Sequence, residues 1–122
     1  MNILAVDDKK DILLLIKTIL EFEGHSVIAV NNGDDAISAC DETSFDLILL
    51  DLMMEGKDGF TTLDIIRNNP LNTSTHIIAL TAKAYDNDRT SVITRGFNDH
   101  IAKPFRASEL IQKVDSLSIK KN

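Results

Sequence analysis

A chain of 122 residues is long enough for one compact domain with a real core and too short for two. It is 43% hydrophobic and 26% charged, with a formal net charge of −6, and that balance argues against direct nucleic-acid binding, where clustered Lys and Arg must meet phosphates. Cys40 stands alone and rules out an internal disulfide, as expected of a protein in a reducing cytoplasm.

In chain order, five apolar runs alternate with segments of helix length. The runs are NILAV (2–6), SVIAV (26–30), DLILLD (46–51), HIIALT (76–81) and the weaker DHIA (99–102). Each is a nearly continuous block of Ile, Leu and Val, the pattern of parallel strands covered on both faces. The first helix, KDILLLIKTILEFEG, should stop at Gly24, with Ile12, Leu15, Ile16, Ile19 and Leu20 facing the sheet and Leu14 pointing away. Within it ILLLIKTIL is the greasiest stretch of the chain, but it is short and carries Lys17, so no membrane span is expected. GDDAISACDE begins a second helix beside Gly33, and DGFTTLDIIRNNP closes a third at Pro70. A fourth begins near Tyr85 and closes at Gly96, and a fifth places Leu110, Val114 and Leu117 on one stripe. A short disordered tail is expected from about residue 119. The result is a single α/β domain over 1–122. It is a (βα)5, doubly wound, flavodoxin-like fold whose five parallel strands take the order 2-1-3-4-5.

Ligands of such sheets bind at the carboxyl ends of the strands, around the switch point. Asp7 and Asp8 follow the first strand, Asp51 closes the third, Thr81 closes the fourth and Lys103 follows the fifth. Adjacent acids at the end of a buried strand repel and lose solvation, so something must compensate them. Three carboxylates against one ammonium leave an excess of two negative charges, and a divalent cation such as Mg2+ would neutralise it. Taken alone, Asp8 reads as an N-cap of the first helix and Asp51 as an acid facing water. Together with Thr81 and Lys103 they fit an acyl phosphate: carboxylate nucleophile, charge-offsetting cation and donating hydroxyl. Without metal, at least one of the three carboxylates should have a raised pKa. Pro104 after Lys103 permits a cis peptide.

These stretches, VDD, LLDLMMEGKDG, ALTA and KPF, in this order and at these separations, resemble the response-regulator receiver domain over essentially the whole chain. The resemblance implies Asp51 as phosphoacceptor, and Asp7, Asp8, Asp51 and the backbone carbonyl of Met53 as ligands of Mg2+, for which Mn2+ could substitute. Thr81 would be the switch hydroxyl, Lys103 the phosphate-contacting cation and His100 the switch side chain, in place of the usual Tyr or Phe. Two further departures are Glu55, where Pro is usual, and Lys83, at a position that influences access of water to the phosphoryl group. The stretch from Ile77 to Phe105 is similar to receivers attached to hybrid histidine kinases, and the short length to single-domain phosphorelay receivers. Both imply a histidine kinase or a His-phosphotransfer protein as donor, with a further protein downstream. Docking should use the first helix and the loop after the fifth strand, which flank the acceptor: Leu14, Leu15, Pro104 and Phe105.

Two rivals are weaker. A phosphatase working through an aspartyl phosphate resembles a D-x-D pattern, but the second position here is Met53. A flavodoxin-like electron carrier needs a phosphate-cradling loop after the first strand, where DDKKD would repel the phosphate. An unphosphorylated scaffold would leave a full set of chemical positions unused.

Overall fold

The structure, a computed structural model, describes the backbone of residues 1–82 and 89–121 and the side chains of 1–82 and 92–117. Five strands and five helices alternate among the described residues: β1 (Asn2–Val6), α1 (Lys10–Phe22), β2 (Ser26–Val30), α2 (Gly33–Glu42) and β3 (Leu47–Asp51), then α3 (Gly59–Arg67), β4 (His76–Ala82), α4 (Arg89–Arg95), β5 (Asp99–Lys103) and α5 (Ala107–Lys121). The strands form one parallel sheet of order β2-β1-β3-β4-β5. Every strand lies within a residue of its expected place, because a two-face-buried strand has few polar positions to blur its ends.

Alternate residues of the central strands feed two separate cores. Leu4, Val6, Ile48, Leu50, Ile77 and Ala79 pack with Ala36 and Cys40 of α2, Leu63 and Ile66 of α3, and Val92 of α4. Ile3, Ala5, Leu47, Leu49, Ile78 and Leu80 pack with Leu13, Ile16 and Leu20 of α1 and with Leu110, Val114 and Leu117 of α5. Burial pushes the Cys40 thiol up to about 11 with help from the neighbouring Asp41, so it is a small core residue rather than a reactive thiol. The two edge strands depart from two-sided burial: β2 leaves Ile28 half exposed, and in β5 only Ile101 is buried.

One expectation for α1 is corrected, and the rejection of Asp8 as a mere helix cap is supported. Its sheet-facing stripe is Leu13, Ile16 and Leu20, flanked by Ile12 and Ile19, whereas Leu15 is 44% exposed. Spacings of three and four residues put 13, 16 and 20 on one line, and Leu15 falls off its edge. The N-cap position is Lys9, not Asp8, and it has no side-chain cap bond; instead Asp7 Oδ1 accepts from the Lys9 amide at 2.9 Å. Gly24 takes φ +93°, the left-handed conformation expected at the end of α1. The start of α4 near Tyr85, and Lys83, lie outside the described residues. α5 runs on past the expected tail at about 119, there being no Gly or Pro after Leu117 to stop it.

The amino end of the sheet is held by buried polar bonds. Asn72 accepts from the Phe45 amide at 2.9 Å and the Thr75 hydroxyl at 2.9 Å, and donates to the carbonyls of Cys40 and Thr43 at 2.9 and 2.8 Å. It thereby joins the turn after α3 to the turn before β3. The Arg67 guanidinium extends the same seam, donating to the carbonyls of Thr73, Thr75 and Gly96 and to Asn98 Oδ1. Asn72→Ala strands an amide and a carbonyl in the interior and should cost about 2–3 kcal/mol in urea unfolding; a loss below ~0.5 kcal/mol would mean that water takes over those bonds.

Candidate functional site

The strand ends bring the site residues together as the register requires. Val6 pairs with Leu50, so Asp7 and Asp51 follow side by side at the ends of β1 and β3. Thr81 pairs with Ala102 and Ala82 with Lys103, which places the lysine two strands beyond Asp51. Its four-carbon stem crosses the sheet top, and its ammonium sits 3.0 Å from Asp7 Oδ2 and 3.2 Å from Asp51 Oδ1. The Lys103–Pro104 peptide is cis.

Asp7 is fully buried, with one oxygen held by the Lys9 amide and the other by Lys103. Asp51 is 1% exposed, and its Oδ1 accepts from both Lys103 and the Met53 amide. Asp8 stands higher in the crevice, where Oδ2 accepts from the Glu55 amide at 3.4 Å and Oδ1 lies 3.8 Å from Lys9 Nζ. Oxygens of Asp7, Asp8 and Asp51 gather within 4.8 Å of one another.

That crowding has an electrostatic consequence. The Asp51 carboxyl is pushed above its usual range, first by burial and then by the charge of Asp7; Lys103 and the Met53 amide offset this only in part. Burial pulls the Lys103 ammonium down, but its bond to Asp7 and the charges of Asp51 and Asp7 outweigh that, so its pKa lies above the ordinary lysine value. The cation is therefore permanent at neutral pH while the acid beside it is unsatisfied. Two buried carboxylate oxygens, Asp8 Oδ1 and Asp51 Oδ2, have no hydrogen-bond partner among the described residues. Asp8 Oδ1, orphaned beside the carboxylates of Asp7 and Asp51, completes the kind of hard-oxygen donor set that a small divalent cation takes. The residues present fit that group.

Around these charges lies a shallow pocket of about 310 Å3, lined by Lys9, Ile12, Asp51, Met53, Ala82, Lys103 and Pro104. Met53 borders it and is 57% exposed. Thr81 is buried, its hydroxyl directed at the Ile101 carbonyl at 3.5 Å. His100 is half buried on β5, three residues before Lys103; its ring lies 3.8 Å from Asp99, which Lys113 of α5 binds at 2.8 Å. Of the expected docking residues, Leu14, Leu15 and Pro104 are exposed, whereas Phe105 is half buried against the α1/α5 core.

Sequence reasoning missed the residue that seats the loop after β3. Gly59 opens α3 directly on the peptide of Asp51. A Cβ there would overlap the Asp51 carbonyl oxygen and come within 2.7 Å of Leu52 Cα. Its amide donates to the Leu52 carbonyl at 3.1 Å, and Asp58 caps the helix by accepting from the Thr61 amide at 2.8 Å. The available signal was a Gly at the start of a helix, where a side chain costs less conformational entropy, immediately after a capping Asp.

With this geometry, the comparisons with known proteins agree. The family model described as the response regulator receiver domain matches residues 3–115. The transcriptional regulatory protein CpxR of Escherichia coli K12 is 37% identical over 116 residues, covering 95% of this chain and 48% of CpxR. The sensor protein GacS of Pseudomonas syringae pv. syringae is 38% identical over 116 residues, covering 93% of this chain and 13% of GacS. The chain thus spans about half of one relative and a small part of the other. Among solved structures, the receiver domain of the sensor histidine kinase PA1611 of Pseudomonas aeruginosa PAO1, with magnesium coordinated in its active-site cleft, superposes with a TM-score of 0.86 at 32% identity, over 95% of each chain. No helix among the described residues is long and apolar enough to cross a membrane. Acids from two strand ends and a lysine from a third, on a sheet of this order, are thus explained by kinship: the chain belongs to the receiver domains of two-component response regulators.

Proposed function

We propose that this receiver takes a phosphoryl group from a phosphohistidine onto Asp51 Oδ2, with Mg2+ held by Asp7, Asp8, Asp51 and the Met53 carbonyl. The observation that carries the reading is the asymmetry of the acceptor. Oδ1 is occupied by Lys103 and the Met53 amide, whereas Oδ2 is buried and unpartnered among the described residues. Attack by Oδ2 on phosphorus forms the P–O bond as the P–N bond to the donor imidazole breaks, and the histidine nitrogen leaves with the electron pair. Lys103 stays charged and offsets the negative charge of the phosphoryl oxygens, and the Thr81 hydroxyl turns from the Ile101 carbonyl to donate to one of them. A bound divalent cation would supply charge neutralisation between carboxylate and phosphoryl oxygens. The magnesium in the receiver of PA1611 supports that choice, and Mn2+ would substitute.

Turning of Thr81 vacates space beside β5, and His100 is the side chain placed to respond. It would pass the state of the site to a downstream protein. The donor is a histidine kinase or a His-phosphotransfer protein. It docks on α1 and the loop after β5, where Leu14, Leu15 and Pro104 are exposed and Pro104 lines the pocket, with Phe105 half buried beneath the loop against the α1/α5 core.

Three outcomes test this reading. With Mg2+ and acetyl phosphate, intact-mass spectrometry should show one phosphoryl adduct, lost in Asp51→Asn and abolished by EDTA; an undiminished adduct in Asp51→Asn would refute the assignment. Asp8→Asn removes one of three crowded carboxylates without removing a helix cap. It should therefore raise the metal-free melting temperature by roughly 4 °C, the effect of about 1 kcal/mol in a domain of this size. The wild type should gain ~2.7 kcal/mol from Mg2+ at ~100 times Kd and the variant much less; a lower metal-free melting temperature in the variant would show that crowding is not the dominant effect at Asp8. Leu14→Asp should slow transfer from a protein donor while leaving acetyl phosphate unaffected, and equal slowing with both donors would point instead to a folding defect.

A further inference from the structure

The first turn of α3, which carries the loop after Asp51, is confined on two sides. On one side Gly59 rests on the Asp51–Leu52 backbone with no room for a side chain. On the other stands Gly33, the first residue of α2. A Cβ at Gly33 would overlap the Thr62 hydroxyl and lie 3.2 Å from both the Cβ and the carbonyl oxygen of Lys57. Thr62 cannot step aside without cost, since it is fully buried and its hydroxyl donates to the Asp58 carbonyl at 2.8 Å. Nor is α2 free to retreat. Asn32 caps it by accepting from the Asp35 amide at 2.7 Å, and Ala36 and Cys40 are buried in the sheet core. A bridge of 3.6 Å from Lys57 to Asp34 ties the acceptor loop to the same helix end.

We propose that Gly33 and Thr62 are positioning residues for phosphotransfer: their contact backs α3 against the acceptor strand and so fixes the Met53 carbonyl and the Asp51 carboxylate for metal and phosphoryl group. Neither residue touches the reacting atoms. The effect is steric and travels through packed backbone, from α2 to Thr62, through Gly59 to Asp51. An error of about 1 Å at a reacting atom costs on the order of a hundredfold in rate, so a shift of a few tenths of an ångström in α3 is already consequential. This inference rests on the reading of Asp51 as acceptor.

The test is a volume swap. Gly33→Ala overfills the contact, Thr62→Ala empties it, and in the double variant the new Cβ occupies the space the hydroxyl left. Four proteins would be compared: wild type, the two single variants and the double. Each would be assayed for Mg2+ affinity by titrating the Met53 amide resonance, for the rate of adduct formation with acetyl phosphate at saturating Mg2+, and for melting temperature. Each single variant should lower both affinity and rate by about tenfold, and the double variant should return to within about threefold of wild type. Single variants that phosphorylate at the wild-type rate would overturn the proposal, as would a double variant no better than the worse single. If Gly33→Ala does not fold, Thr62→Ala against the double variant still decides it. A wild type that forms no adduct would instead defeat the acceptor assignment, an outcome separate from any difference among the variants.

Discussion

The ammonium of Lys103, lodged between Asp7 and Asp51, is the interaction on which the site depends. Buried carboxylates at the ends of neighbouring strands would otherwise neutralise themselves by taking up protons, since an unpaired buried charge is costly. One cation reaching across β4 ties three strand ends together at 3.0 and 3.2 Å. It cannot satisfy them all. Asp51 keeps a raised pKa, and among the described residues one oxygen each of Asp51 and Asp8 lacks a hydrogen bond. The shortfall is what leaves the site able to bind further positive charge.

The two ends of the sheet are built on opposite principles. At the amino end, Asn72 and Arg67 tie together the turns that lead into β3, β4 and β5 with hydrogen bonds to backbone groups. At the carboxyl end, three acids crowd together and, among the described residues, two of their buried oxygens have no hydrogen bond. A satisfied polar seam stabilises and rigidifies, whereas an unsatisfied one stores free energy that a ligand can release. Between them the central strands are apolar on both faces, so neither end can relax by sliding the strands.

Rigidity of the helices matters for the same reason. α3 starts on the peptide of Asp51 at Gly59, and α2 starts against α3 at Gly33. Glycine serves at both places because backbone meets neighbouring atoms with no space for a Cβ. The loop after Asp51 thus has a stiff support on one flank, while on the other Met53, Ala82 and Pro104 line an open pocket that Ile12 of α1 borders.

Much of this was legible in the sequence. Short unbroken runs such as LILL and IIAL, bounded by polar and turn residues, read as strands covered on both faces, whereas ILLLI continues into a longer periodic stretch and is helical; five such strands separated by helix-length segments lead to a doubly wound parallel sheet. Acids and a lysine at the ends of those runs then had to converge, because a doubly wound sheet presents all its strand ends on one edge. Tertiary structure alone decided which atoms meet. Leu13 rather than Leu15 faces the sheet, Lys9 rather than Asp8 occupies the cap position, and Asp51 Oδ2 rather than Oδ1 lacks a hydrogen bond among the described residues. The contact of Gly33 with Thr62 joins residues of different helices. Periodicity and composition are properties of neighbouring residues, and they fix what an element is and where its ends lie. The rotation of a helix and its distance of approach come from filling both sides of an interface at once, and no single stretch of sequence contains both sides.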